Sequence, residues 1–161
     1  MAYSIKEIID IAIKLEDTGH DFYKECGRHF KEPAVIDVFS FLAREELVHR
    51  DLFQSFQWRP DAVDEGIFND DYYAYLRAVG GGLVFDRHTS NIRDFVRAIE
   101  TPLDAIKHAF IAEKESILLY KEMKRLYPKH HATADMLERI IAEERKHVLT
   151  LYDLADKLKK T

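Results

Sequence analysis

Glutamate followed three residues later by histidine occurs twice in this chain, each time with another glutamate directly in front. The two segments are Glu45-Glu46-x-x-His49 and Glu143-Glu144-x-x-His147. On an α-helix, residues three apart lie one turn along on the same face, so Glu46 with His49, and Glu144 with His147, can each point at one object. A single such pair is common and means little. Here each pair also has an upstream glutamate at nearly the same distance: Glu16 lies 30 residues before Glu46, and Glu113 lies 31 before Glu144. Glu16, Glu46, Glu113 and Glu144 with His49 and His147 make the donor set of a dinuclear iron or manganese site built on four helices.

Four helices are what the sequence provides to carry them. A first begins at Ser4 with Glu7, a capping box, and runs with Ile5, Ile8, Ile9, Ala12, Leu15, Gly19, Phe22, Tyr23 and Cys26 at helical period. Pro33 suits the first turn of a second, whose stripe is Val38, Phe39, Leu42, Phe53 and Phe56. Thr101, Pro102 and Asp104 start a third, with Ile106, Ala109, Phe110, Ile117, Tyr120 and Met123. The fourth follows Pro128 and carries Met136, Leu137, Ile140, Ile141, Val148, Leu151 and Leu154. Short turns make antiparallel hairpins of 4–57 and 101–159, and one long crossover, 58–100, joins them. The crossover is expected to hold a helix over Asp70 to Val79, closed by Gly80, Gly81 and Gly82, and a second amphipathic piece over Ile92 to Ile99. The expected architecture is all-α: one domain over 1–161, an antiparallel four-helix bundle with short helices in its crossover.

The glutamates interrupt the apolar stripes and do not sit opposite them. Glu16 falls between Ala12 and Gly19, Glu113 between Phe110 and Ile117, Glu46 and His49 between Leu42 and Phe53, and Glu144 and His147 between Ile140 and Leu151. Buried carboxylates are costly unless paired or bound to metal, and four facing one interior repel one another. Two divalent cations neutralise them. Glu45, Glu115 and Glu143 are expected to be solvated, and His20, His29, His88, His108, His130 and His131 to be surface residues without a partner at ligand spacing. Tyr23 and Tyr120 each lie seven residues after a site glutamate and are core aromatics whose hydroxyls could reach the site.

Composition removes other classes. Hydrophobic residues are 47% and charged residues 33%, with net charge −5 and both signs interspersed, so no basic face invites nucleic acid or anionic lipid. The one cysteine, Cys26, forms no internal disulfide and supplies no four-thiolate iron centre; it suits a reducing cytoplasm. No secretory signal and no membrane-spanning stretch is expected.

The chain resembles the rubrerythrin family of the ferritin-like superfamily. The residues that carry the resemblance are Glu16 with Phe22-Tyr23, Glu45-Glu46-x-x-His49, Glu113-x-x-Ser116 with Tyr120, and Glu143-Glu144-x-x-His147. It covers both hairpins and leaves out the crossover. It implies Glu16, Glu46 and His49 as metal ligands from one half, Glu113, Glu144 and His147 from the other, and Glu46 and Glu144 as bridges. It further implies two iron ions, with manganese compatible, and reduction of hydrogen peroxide or dioxygen. Many rubrerythrins carry a rubredoxin domain; this sequence has no Cys-x-x-Cys, so an external donor such as a rubredoxin is expected, and a homodimer. Many also carry an extra glutamate one turn after the third-helix ligand, where this chain has Ser116. Iron oxidation or storage, and a metal-free interaction bundle, are the rival expectations.

Overall fold

The protein, described here by a computed structural model, is defined over residues 5–64, 66–81 and 91–161. Its elements are α1 (Ile5–His29), α2 (Pro33–Ser55), a 3-10 turn (Pro60–Ala62), α3 (Asp70–Gly80), α4 (Ile92–Arg97), α5 (Pro102–Arg125) and α6 (Ala132–Lys159). The four long helices form the antiparallel bundle: α1 packs on α2, α5 on α6, and the two hairpins meet through α1 with α5 and α2 with α6.

Local chemistry explains the boundaries. Pro33 and Pro102 occupy first turns, where a missing N–H costs nothing. The Thr101 hydroxyl oxygen accepts from the Asp104 N–H at 3.1 Å, a cap that contributes about 1 kcal/mol. Asn69 and Asn91 cap α3 and α4 in the same way, at 3.0 and 3.1 Å. The last helix starts later than Pro128 alone suggests. His130 adopts a left-handed backbone (φ 67°), and His131 Nδ1 accepts from the Thr133 N–H at 3.2 Å to cap α6. The expected Ser4 cap, Gly82 and His88 lie outside the described residues.

The crossover helices lie against the bundle's own side. α3 packs on α1 and α5, and α4 packs on α1. Tyr73 is buried with its hydroxyl donating to Glu7 at 2.7 Å, and the half-buried Tyr72 donates to Glu122. α3 ends on the glycine run as expected, with Gly81 as its C-cap and Gly80 as its last residue. A Cβ there would sit 2.4 Å from Ile11 Cγ2, so only glycine allows α3 this close to α1. This cover also corrects one expectation. Glu115 shares a face of α5 with Leu119 and Glu122, which contact α3, so Glu115 is half-buried and not solvated.

Two apolar clusters fill the bundle. One contains Phe22, Cys26, Phe39, Leu42, Ile106, Leu151 and Leu154. The other contains Ile8, Ile9, Ala12, Phe53, Leu119, Met123, Leu137 and Ile140. Each long helix passes from one cluster to the other, and each changes over at its site glutamate: Glu16, Glu46, Glu113 or Glu144. A polar layer is thus sandwiched between two dry ones.

Candidate metal centre

All six sequence-predicted ligands converge in that layer, and all are buried. They form two overlapping groups. Glu16, Glu46, His49 and Glu144 each place one candidate donor atom within 4.8 Å of the others, as do Glu46, Glu113, Glu144 and His147. Glu46 and Glu144 belong to both groups, so the arrangement is a pair of adjacent positions joined by two shared carboxylates.

Each histidine turns Nδ1 inward. His49 Nδ1 is 2.9 Å from Glu144 Oε1 and 3.7 Å from Glu16 Oε2. His147 Nδ1 is 3.0 Å from Glu144 Oε2, 3.5 Å from Glu46 Oε1 and 3.6 Å from Glu113 Oε2. The two imidazoles stack with centroids 5.5 Å apart. The tyrosines reach across the bundle: Tyr23 of α1 donates its hydroxyl to Glu113 Oε1 of α5, and Tyr120 of α5 donates to Glu16 Oε1 of α1. Each tyrosine therefore serves the glutamate of the opposite hairpin, not the one on its own helix. Burial, and then the surrounding carboxylates, push both phenols well above the ordinary range, so they remain neutral donors.

Electrostatics show what crowding costs. Burial first, then the carboxylates of Glu16, Glu144 and Glu113, push Glu46 up. Burial and the neighbouring Glu144 push Glu113 up to about 8. Burial would lower His49, but the carboxylates of Glu144 and Glu16 beside its Nδ1 outweigh it and hold the imidazolium up to about 12. His147 is raised likewise, against burial, by Glu113, Glu144 and Glu46. Burial opposes ionisation of Glu144 as well, yet Glu113, His147 and His49 together keep it below the usual carboxylate range. Protons thus stand where positive charge is needed.

The residues fit a pair of metal ions. Glu16 Oε2, Glu46 Oε1, Glu144 Oε1 and His49 Nδ1 are buried donor atoms with no hydrogen-bond partner. The His49–Glu144 contact is close without being aligned as a hydrogen bond. Orphaned buried polar atoms cost about 1–3 kcal/mol each, more when charged. Several of them aimed at one spot are donors that a cation would satisfy. Oxygen and imidazole donors with no thiolate suit iron or manganese.

Three residues at the site carried weaker signals in the sequence. Glu143, expected to be solvated, is half-buried, and its Oε2 lies 2.7 Å from His49 Nε2. Its signal was the doublet, repeated as Glu45-Glu46 and Glu143-Glu144. Gly19 is more than a small stripe residue: a Cβ there would lie 2.8 Å from Glu46 Oε2. Phe41 places its ring edge-on to His147, with centroids 6.3 Å apart. A narrow cleft lined by Leu15, Gly19, Tyr23, Ala112 and Ser116 leads to Glu46 and Glu113. Elsewhere Cys26 is buried, and burial followed by Glu25 raises its thiol, consistent with a small core residue. Of the remaining histidines, His29 and His130 are exposed, but His20, His108 and His131 are half-buried. His20 Nδ1 sits 2.7 Å from the Ala43 carbonyl and His29 Nε2 3.0 Å from that of Ile99, so both join elements, His29 from the exposed position expected of it.

The comparisons with known proteins agree with this layer. The ferritin-like domain family model matches residues 59–161, more than half of the chain, including Glu113, Glu144 and His147. The rubrerythrin model matches residues 7–73, including Glu16, Glu46 and His49. The chain belongs to the rubrerythrin/ferritin-like family. Each model takes in one half of the carboxylate layer, and they overlap only in the crossover. A solved Thermotoga maritima structure, described provisionally as a ferritin-like diiron-carboxylate protein, is 25% identical with a TM-score of 0.68. The match covers 96% of this chain and 95% of that one, so the likeness includes the crossover. No curated protein matches the chain. No helix among the described residues is long and apolar enough to cross a membrane.

Proposed function

We propose that this member of the ferritin-like family is a di-iron oxidoreductase that reduces hydrogen peroxide or dioxygen with electrons from an external one-electron donor protein such as a rubredoxin. The observation that carries the reading is the pair of four-residue donor groups sharing Glu46 and Glu144. Glu16 and His49 would hold one ion and Glu113 and His147 the other. The shared carboxylates would lie between them, four negative charges against two divalent cations. Two iron ions at this spot supply the two electrons that a peroxide bond needs.

The chain's own residues do the rest. The two apolar clusters keep water away from the layer and hold the ligands in place. The cleft past Gly19, Ala112 and Ser116 is narrow, which favours a small oxidant over a bulky substrate. Tyr23 holds a proton at Glu113 Oε1 and Tyr120 holds one at Glu16 Oε1, ready for an oxygen atom leaving the site. A separate donor is consistent with these residues, whose one cysteine, Cys26, is buried and cannot build a thiolate iron centre. A cytoplasmic homodimer completes the proposal.

Iron content tests it. The expected result is about two iron ions per chain, the number a dinuclear carboxylate site holds, lost in a Glu46→Ala, Glu144→Ala double variant. Peroxide-dependent oxidation of the reduced protein should disappear with them. Absence of transition metal after anaerobic Fe(II) loading would sink the reading. Many ions per chain would transfer it to iron storage.

A further inference from the structure

The pseudo-repeat predicts two equivalent metal positions, but the atoms behind the two histidines differ. His49 presents Nδ1 to Glu144 and Glu16, while its outer nitrogen, Nε2, lies 2.7 Å from Glu143 Oε2. With a carboxylate as acceptor, Nε2 carries the N–H. Nδ1, which faces the site, is then the nitrogen that would give up its proton to bind a metal ion, and the ring is fixed in that orientation. His147 presents Nδ1 to Glu144, Glu46 and Glu113 in the same way. Its Nε2, however, is buried with no hydrogen-bond partner, and the ring lies against the Phe41 edge and the stacked His49. The repeat does give α2 a glutamate in Glu143's place, Glu45. That side chain is half-buried and makes no hydrogen bond to His147 Nε2.

From this we infer that the two metal positions are unequal and that Glu143 is the positioning residue that makes them so. The position of Glu16 and His49 binds its ion first and more tightly; the position of Glu113 and His147 fills second. The inference rests on the two-metal reading above. A carboxylate that accepts from a ligating imidazole raises its basicity and holds its ring. Losing such a partner typically weakens metal binding 10- to 100-fold. Only one of the two imidazoles has this partner, so the ions should load in order, even though the ligand atoms of the two groups are the same in kind.

Titration of the metal-free protein with Co(II), followed by visible absorption and calorimetry, tests this without any assay of activity. Wild type should take two ions in resolved steps. Glu143→Ala should weaken the first step about 10- to 100-fold and leave the second within about threefold, merging the two. Glu143→Gln keeps an acceptor oxygen without the charge and should recover part of the loss. Glu45→Ala should leave both steps unchanged. Two ions bound with constants unmoved by Glu143→Ala, or weakened equally, would overturn the inference while leaving the two-metal reading intact. No cobalt bound by wild type would overturn both. Helical circular dichroism of each metal-free variant separates these outcomes from misfolding, which is not expected of a half-exposed residue at this position.

Discussion

The two hairpins supply the same ligands from the same helical positions, yet their surroundings are only partly alike. The tyrosines are reciprocal: Tyr23 bonds Glu113 and Tyr120 bonds Glu16, so each half supports the other's carboxylate. Behind them the likeness ends. Tyr120 packs on Phe53, which stacks on Trp58, whereas Tyr23 packs on Phe22 and Phe39. His49 is backed by Glu143 and His147 by Phe41. Gly19 makes room for Glu46 on one side, and Ser116 takes the repeat-related position on the other. The difference teaches which features a dinuclear arrangement would demand. Charge and donor number are kept in duplicate, because an uncompensated buried carboxylate is expensive wherever it lies. The outer contacts are not held in duplicate: Glu143 lies behind His49 and Phe41 beside His147.

The most severe way to break the comparison is to remove a residue common to both groups. Glu144→Ala should abolish binding of both ions, not one, because Glu144 faces both histidines. Equilibrium dialysis against Fe(II) or Co(II) measures it, and retention of one ion at wild-type affinity would show that the groups are independent. Replacing Glu16 alone should spare the His147 side better than its own.

Proton occupancy provides the next test. Glu113, raised to about 8, keeps in the folded state a proton that the unfolded chain sheds above the ordinary carboxylate value, so its contribution to stability falls as pH rises through that interval. His49 and His147 are also raised, so their contribution is complete below the ordinary imidazole value and declines as pH climbs towards their folded values. Metal-free protein should therefore melt lower at pH 9 than at pH 5, by about 5 °C or more for a chain of this size. Ions that replace those protons must release them, so metal affinity should rise with pH and metal should flatten or invert the melting trend. A metal-free melting temperature that rises over this range would contradict the protonated picture.

Smaller, and diagnostic of symmetry, are Tyr23→Phe and Tyr120→Phe. Each leaves one buried carboxylate oxygen without its donor and should cost the metal-free protein about 1–3 kcal/mol. Equal losses in chemical denaturation would support reciprocal roles. A much larger loss for Tyr120→Phe would mean that its contact with Phe53 counts for more than the hydrogen bond.

Much of this was legible in the sequence, and the limits have physical causes. Helical period and the placement of Glu16, Glu46, Glu113 and Glu144 within apolar stripes were enough for the bundle and the convergence, because a helix fixes which side chains share a face. Periodicity says nothing about what covers that face from outside. Glu115 read as solvated because the path of α3 across α5 depends on tertiary packing. Glu143 read as solvated because hydrogen bonding between α6 and α2 depends on how far apart those helices lie. The direction of the tyrosines was also hidden: seven-residue spacing places Tyr23 two turns from Glu16, but its hydroxyl leaves that helix for Glu113.

The gentlest probe compares Gly19 with its counterpart Ser116. Gly19→Ala inserts a methyl group 2.8 Å from Glu46 Oε2, closer than real contacts allow. The atom in the way is the end of a flexible side chain, so the backbone need not move; Glu46 must. Folding stability should change little, since alanine favours a helix over glycine by about 1 kcal/mol. Affinity for both ions should fall, because Glu46 belongs to both groups. Ser116→Ala introduces no atom and should leave metal binding unchanged. If Gly19→Ala instead melted the protein without altering metal affinity per folded chain, the close approach would concern helix packing and not the position of Glu46.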